Sequence, residues 1–187
     1  MGPIAAQALF PKHIRAVPRW PCQERRRPAQ RAIIVVNRGS SMPDKGQMAV
    51  DKFAEGYNCA QSVLFAFCEE CGLSPDAALK VACGFGAGMG RKQEVCGAVT
   101  GGVMVLGLRR GRGTAEGRSV TEALYPLTRE FMDSFAVRNG SHLCRDLLSG
   151  CELLSEEGQR RFKEDGMLEK VCKPCVRSAA EILEQMA

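Results

Sequence analysis

Between Met48 and Cys71 the apolar residues Phe53, Tyr57, Ala60, Leu64, Phe67 and Cys71 recur at steps of four, three, four, three and four. That spacing predicts one helix over 48–71 with this stripe turned to the core. Cys68 falls beside the stripe and Cys59 on its flank, and Gly72 supplies the stop. Ser74-Pro75-Asp76 reads as an N-cap, a first helical residue and an acidic first turn, opening a short helix through Lys80 to about Cys83. After a glycine-rich passage, residues 97–108 form a helix with a small face at Gly97 and Gly101 and an apolar one at Val105 and Leu108. Arg109 to Gly113 reads as a loop. Leu124, Leu127, Phe131 and Phe135 mark a longer helix from Ala115 to Val137, interrupted and kinked at Pro126. Asn139-Gly140 ends it, and Ser141 caps a short segment containing Cys144, Leu147 and Leu148. Two more helices are expected, Ser155–Asp165 and Pro174–Met186. No strand-like alternation of any length occurs, so the expected fold is all-α: a compact single-domain bundle of five to seven short helices.

Residues 1–47 break this pattern. They hold six of the nine prolines, the only tryptophan and the Arg25-Arg26-Arg27 run, and they are expected to be a disordered arm ahead of a domain at 48–187. The arm carries nine basic groups against two acidic ones, a charge of +7, so the remaining 140 residues carry −2 of the net +5. A basic arm suits nucleic acid or anionic lipid. The simpler reading, which we prefer, is a start codon at Met42 or Met48, which leaves residues 1–47 outside the working protein. The folded part is not basic and offers no support for a nucleic-acid partner. No apolar run reaches membrane-spanning length. The apolar helix faces leave room for a homodimer that nothing in the pattern requires.

Eight glycines fall within residues 84–107, which implies backbone in close approach to something. A phosphate-binding loop does not fit. The third glycine of G-x-G-x-x-G would fall at Arg91, no Gly-Lys-Ser/Thr follows, and the preceding element is a helix. With only His13 and His142 in the chain, a His-rich metal site or a serine-type triad has little support. Cysteine is the chemical resource: ten residues, nine of them at 59, 68, 71, 83, 96, 144, 151, 172 and 175. The chain shows no secretory leader, so a cytoplasmic, reducing compartment is expected, in which cysteines serve metals or redox chemistry. Cys68 and Cys71 form a C-x-x-C on the apolar stripe and read as buried hydrophobes. Cys172 and Cys175 form another at a proline-started helix, where a thiol pKa falls, but the βαβ context of a thioredoxin-type site is missing. Cys96 also precedes a helix, one opening on bare glycines. Two readings of that arrangement stand: thiolate or anionic-cluster stabilisation, or tight helix packing through Gly97 and Gly101.

Gly56-Tyr57-Asn58-Cys59-Ala60-Gln61, Gly88-Met89-Gly90, Cys96-Gly97-Ala98-x-x-Gly101, Cys144-Arg145-Asp146-Leu147-Leu148 and Cys172 with Val176 resemble the small bacterial redox-active proteins named for their C, GCAxxG, C and C pattern. The resemblance covers roughly residues 48–187 and places the family's cysteines on Cys59, Cys96, Cys144 and Cys172, with Cys151 where members often have one. It implies a redox role with an unidentified electron partner. A related module joined to a haem- and iron–sulfur-carrying cytochrome makes cluster ligation a reasonable inference. Cys68, Cys71, Cys83 and Cys175 depart from the pattern, and no C-x-x-C-H haem attachment motif is present.

The expectation is therefore that Cys59, Cys96, Cys144 and Cys172 converge on one site. There they bind an iron–sulfur cluster or act as redox thiols, with Cys96 and Cys172 carrying the chemistry and Gly97 and Gly101 giving a bound group access to backbone. Two alternatives stand beside it: a structural zinc module closed by four thiolates without turnover, and a dithiol oxidoreductase using Cys172 and Cys175.

Overall fold

A computed structural model describes residues 44–186; the expected arm at 1–47 lies almost entirely outside them. Among the described residues seven helices of eight residues or more are formed, with no named strand. The all-α expectation holds.

Asp44 caps α1 (Lys45–Ala54), its carboxylate accepting from the Gln47 N–H at 3.0 Å. The single helix expected over 48–71 is instead two, and the first begins three residues early. Gly56, at φ +95°, turns the chain out of α1, and Asn58 restarts it as α2 (Cys59–Cys68). The restart is a reciprocal capping box: Gln61 N–H donates to Asn58 Oδ1 at 3.0 Å, and Asn58 N–H donates to Gln61 Oε1 at 3.1 Å. The apolar stripe runs straight through the break, so periodicity alone could not reveal it.

α2 is the centre of the molecule. It packs against α1, α3 (Pro75–Ala82), α4 (Gly97–Arg110) and α7 (Lys173–Gln185), and nine of its ten residues are buried. A helix so enclosed must be apolar almost all round, and its exceptions are satisfied. Gln61 Nε2 donates to Leu79 O at 2.8 Å, and Ser62 Oγ donates to Asn58 O at 2.9 Å. Gly101 is what lets α4 lie on α2: a Cβ there would stand 2.7 Å from Ala60 O. On the neighbouring face of α4, Gly102 receives the Phe131 ring of α5 (Arg118–Asn139). α5 runs through Pro126 as one helix, starting and ending a little later than expected. Arg109 and Arg110, expected in a loop, belong to the last turn of α4, where Arg109 donates to Leu183 O at 3.0 Å and pairs with Glu70 at 2.6 Å.

The main core gathers Phe67, Phe131, Phe135, Leu64, Leu183, Val63, Val99, Val105 and Val176, all fully buried. A smaller one, Cys144, Leu148, Cys151 and Leu153, is backed by Phe162 and Met167 beside α6 (Glu156–Glu164). No described helix is long and apolar enough to cross a membrane.

Candidate functional site

Where the two cores meet lies a cavity of about 240 Å³ lined by five thiols, Cys59, Cys96, Cys144, Cys172 and Cys175. The rest of its wall is apolar or uncharged, with Phe53, Tyr57, Leu148 and Phe162 among the larger side chains, and no carboxylate or imidazole reaches it. The four cysteines expected to converge are thus brought together, and Cys175 joins them. Four of the five thiols, Cys59, Cys96, Cys144 and Cys175, are buried, where water screens a charge poorly.

Backbone brings these distant residues together. Cys59 is the first residue of α2, directly behind the Asn58 cap. Asn58 Nδ2 also donates to Cys83 O at 2.9 Å, and a Cβ on Gly86 would overlap the Asn58 side chain, so the glycine-rich segment is pinned to the start of α2. Residues 93–96 pair with 142–145 in a short antiparallel bridge centred on Val95 and Leu143. Cys96 N–H donates to His142 O at 2.9 Å and Cys144 N–H to Glu94 O at 2.7 Å, which sets two cysteines 48 positions apart side by side. Ala87, Gly88, Met89, Gly90 and Arg91 all have φ between +52° and +70°, a left-handed turn that brings Gly88 against the bridge. A Cβ on Gly88 would stand 2.8 Å from the Cβ of Cys144. Ala87, Met89 and Arg91 are non-glycine residues in this region, each unfavourable by about 1–2 kcal/mol, and such strain collects at functional sites.

Cys96 caps α4. Its thiol makes no short capping bond, yet it lies in the field of the first amides of the helix. A hydrogen bond from Cys175 pulls the Cys96 pKa below the ordinary thiol range, the N–H groups of Ala98 and Val99 act in the same direction, and burial opposes them. Cys175 moves the opposite way, raised first by that shared bond and then by burial. Cys59 is raised by its hydrogen bond with Cys172, then by burial. Burial, followed by the charges of Cys96 and Cys172, pushes Cys144 up to about 12. The two thiols of the C-x-x-C therefore face different partners: Cys172 faces Cys59, and Cys175 faces Cys96. Both thiols of the alternative Cys172–Cys175 dithiol line this cavity.

Cys172 itself does not stand at a free helix start. A π-helical turn, Leu168–Cys172, precedes α7, so the amides expected to face this thiol belong to a continuing helix. The two glycines also divide. Gly97 lines the cavity, with Cys59 Cβ 3.1 Å from where its own Cβ would be, whereas Gly101 faces Ala60 and Val63 of α2 and serves packing.

The remaining described cysteines lie elsewhere. Cys68 is fully buried in the main core, Cys71 is half-buried beside Arg109, and Cys83 is exposed. Cys151 is buried and donates from Sγ to Gly158 O at 3.1 Å. Gln93 escaped the sequence reading. Buried at φ +59°, it donates from Nε2 to Cys151 O at 2.7 Å and accepts from Leu153 N–H at 2.8 Å, fastening the wall behind Cys144. Its one signal was its place in the glycine-rich passage before Cys96. Among the described residues no three His, Cys, Asp or Glu side chains are gathered closely enough to close on a single metal ion.

Neither the curated proteins nor the solved structures give a match to this chain. A family pattern does, over residues 57–186, and it takes in every cavity cysteine. By that match the chain belongs to the family described as "Putative redox-active protein (C_GCAxxG_C_C)".

Proposed function

We propose that this is an electron-transfer protein in which Cys59, Cys96, Cys144 and Cys172 hold an iron–sulfur cluster in the cavity between the two cores. The observation that carries this reading is a donor set made only of thiols around a space of about 240 Å³. Thiolate donors select zinc, copper(I) or iron–sulfur clusters. A lone tetrahedral zinc needs its sulfurs about 2.3 Å from one point, and no three ligands stand so close here. A cluster spreads its ligands over a larger volume, which suits thiols arranged around a cavity. When bound, it would supply one-electron chemistry at a potential set by its protein shell.

The chain's own residues have clear parts in this reading. Cys96, already biased toward thiolate, is the anchor, and the first amides of α4 offset negative charge beside it. Gly97 keeps the wall next to Cys59 free of a side chain. Tyr57, Leu148 and Phe162 limit water around the centre.

The test is anaerobic purification with iron and acid-labile sulfide analysis and a visible spectrum. Stoichiometric iron and sulfide with charge-transfer absorption supports the reading; absence of both removes it, and stoichiometric zinc without visible absorption replaces it with a structural metal site. The pairing of Cys96 with Cys175 favours one other reading, thiol redox chemistry without metal, in which Cys96→Ser changes the thiol titration and the midpoint potential.

A further inference from the structure

Outside the thiol cavity lies a second concavity of about 540 Å³, and the two share a wall of Ala87, Leu153, Phe162 and Leu168. Its volume is within the range of small-molecule sites. The floor is apolar. At the rim stand Arg91, carried out on the left-handed turn, and Lys163 of α6. Both are exposed, and among the described residues neither has a carboxylate within ion-pair distance. The acid in the lining, Glu169, is held by Lys173 at 2.8 Å. The groove therefore presents an apolar surface under two free positive charges, separated from the thiols by a single layer of side chains. One side of that layer, Leu168, opens the π-helical turn that leads to Cys172, and π turns recur at functional sites.

We propose that this groove binds a small organic anion with an apolar body, its tail on Phe162 and Leu168 and its charged group between Arg91 and Lys163. The binding stands on the groove alone. That the bound molecule lies beside a redox centre rests on the function proposed above, as it would sit one layer of side chains away from the cavity.

Isothermal titration with 1-octanesulfonate, followed on the full chain, separates the two. Saturable binding is expected, at least about fivefold weaker for uncharged 1-octanol and about tenfold weaker in the Arg91→Glu, Lys163→Glu double variant. Phe162→Ala should weaken binding of both probes alike, because it removes floor and not charge. The proposal is overturned by no saturable heat at millimolar probe, by equal affinity for the charged and neutral probes, or by a double variant that binds as the wild type does. None of these readings depends on iron content, so a metal-free protein that binds the anion removes the cluster alone.

Discussion

Cys96, one residue before α4, and Cys175, in the first turn of α7, line the same cavity, and Cys175 together with the first amides of α4 draws the Cys96 pKa below the ordinary thiol value. Removing that partner by Cys175→Ala should raise the Cys96 pKa and slow its alkylation by iodoacetamide at neutral pH by about threefold to tenfold, the scale of one hydrogen bond. Peptide mass spectrometry of the metal-free protein, with exposed Cys83 as reference, measures this. An unchanged rate would mean that the amides of Ala98 and Val99 suffice.

Two glycines of α4 should respond in opposite directions to the same substitution. Gly101→Ala places a methyl group 2.7 Å from Ala60 O and should cost about 1–3 kcal/mol, because α4 must move off α2. Gly107, six residues later, has nothing within 4 Å of its missing Cβ. Gly107→Ala should therefore stabilise the protein by about 0.5–1 kcal/mol through the unfolded chain and helix propensity. Urea unfolding of both variants tests the sign of each.

Gln93→Ala leaves Cys151 O and Leu153 N–H without their buried partners. The expected loss is about 2 kcal/mol or more. It should appear first as faster amide hydrogen exchange at Leu153, ahead of any change in the main core.

The cavity thiols give metal-free protein an alkaline limit. Cys144 is raised from the ordinary thiol value of 9.0 to about 12, so the folded state keeps a proton there that the unfolded state gives up. Its contribution is fully present below pH 9 and is lost between 9 and 12. Cys59 and Cys175 are shifted in the same direction and add to the loss. Cys96 is shifted the other way: its contribution is complete above 9 and fades as pH falls through its lowered folded value. Thermal unfolding in a reducing buffer should show stability declining above pH 9, and Cys144→Ala should flatten part of that decline.

Much of the fold was readable from local signals. Ser74-Pro75, Gly72 and Asn139-Gly140 mark helix ends where the chain indeed begins or stops a helix. The break between α1 and α2 was written in Gly56 and in Asn58-x-x-Gln61, but the unbroken apolar stripe outweighed these signals. The gathering of Cys59, Cys96, Cys144 and Cys172 came from resemblance; periodicity alone could not place four residues spread over more than a hundred positions. The antiparallel bridge escaped because Val95 and Leu143 pair singly, too short a strand to alternate. Cys175 was left out because the resemblance supplies four cysteines and Cys175 is not one of them. Which partner each thiol meets depends on how α7 lies against α1, α2 and α4, and no local pattern encodes that.

The placement of Cys172 directly before α7 and of Cys175 in its first turn has a consequence for synthesis. Every other cysteine of the cavity leaves the ribosome first, and α1 and α2 wait for α7 to complete their packing. Until that helix emerges, Cys59, Cys96 and Cys144 have no closed wall around them. A chain halted before α7 therefore holds three of the five cavity thiols with their wall still open, and the cavity closes only when α7 has been made.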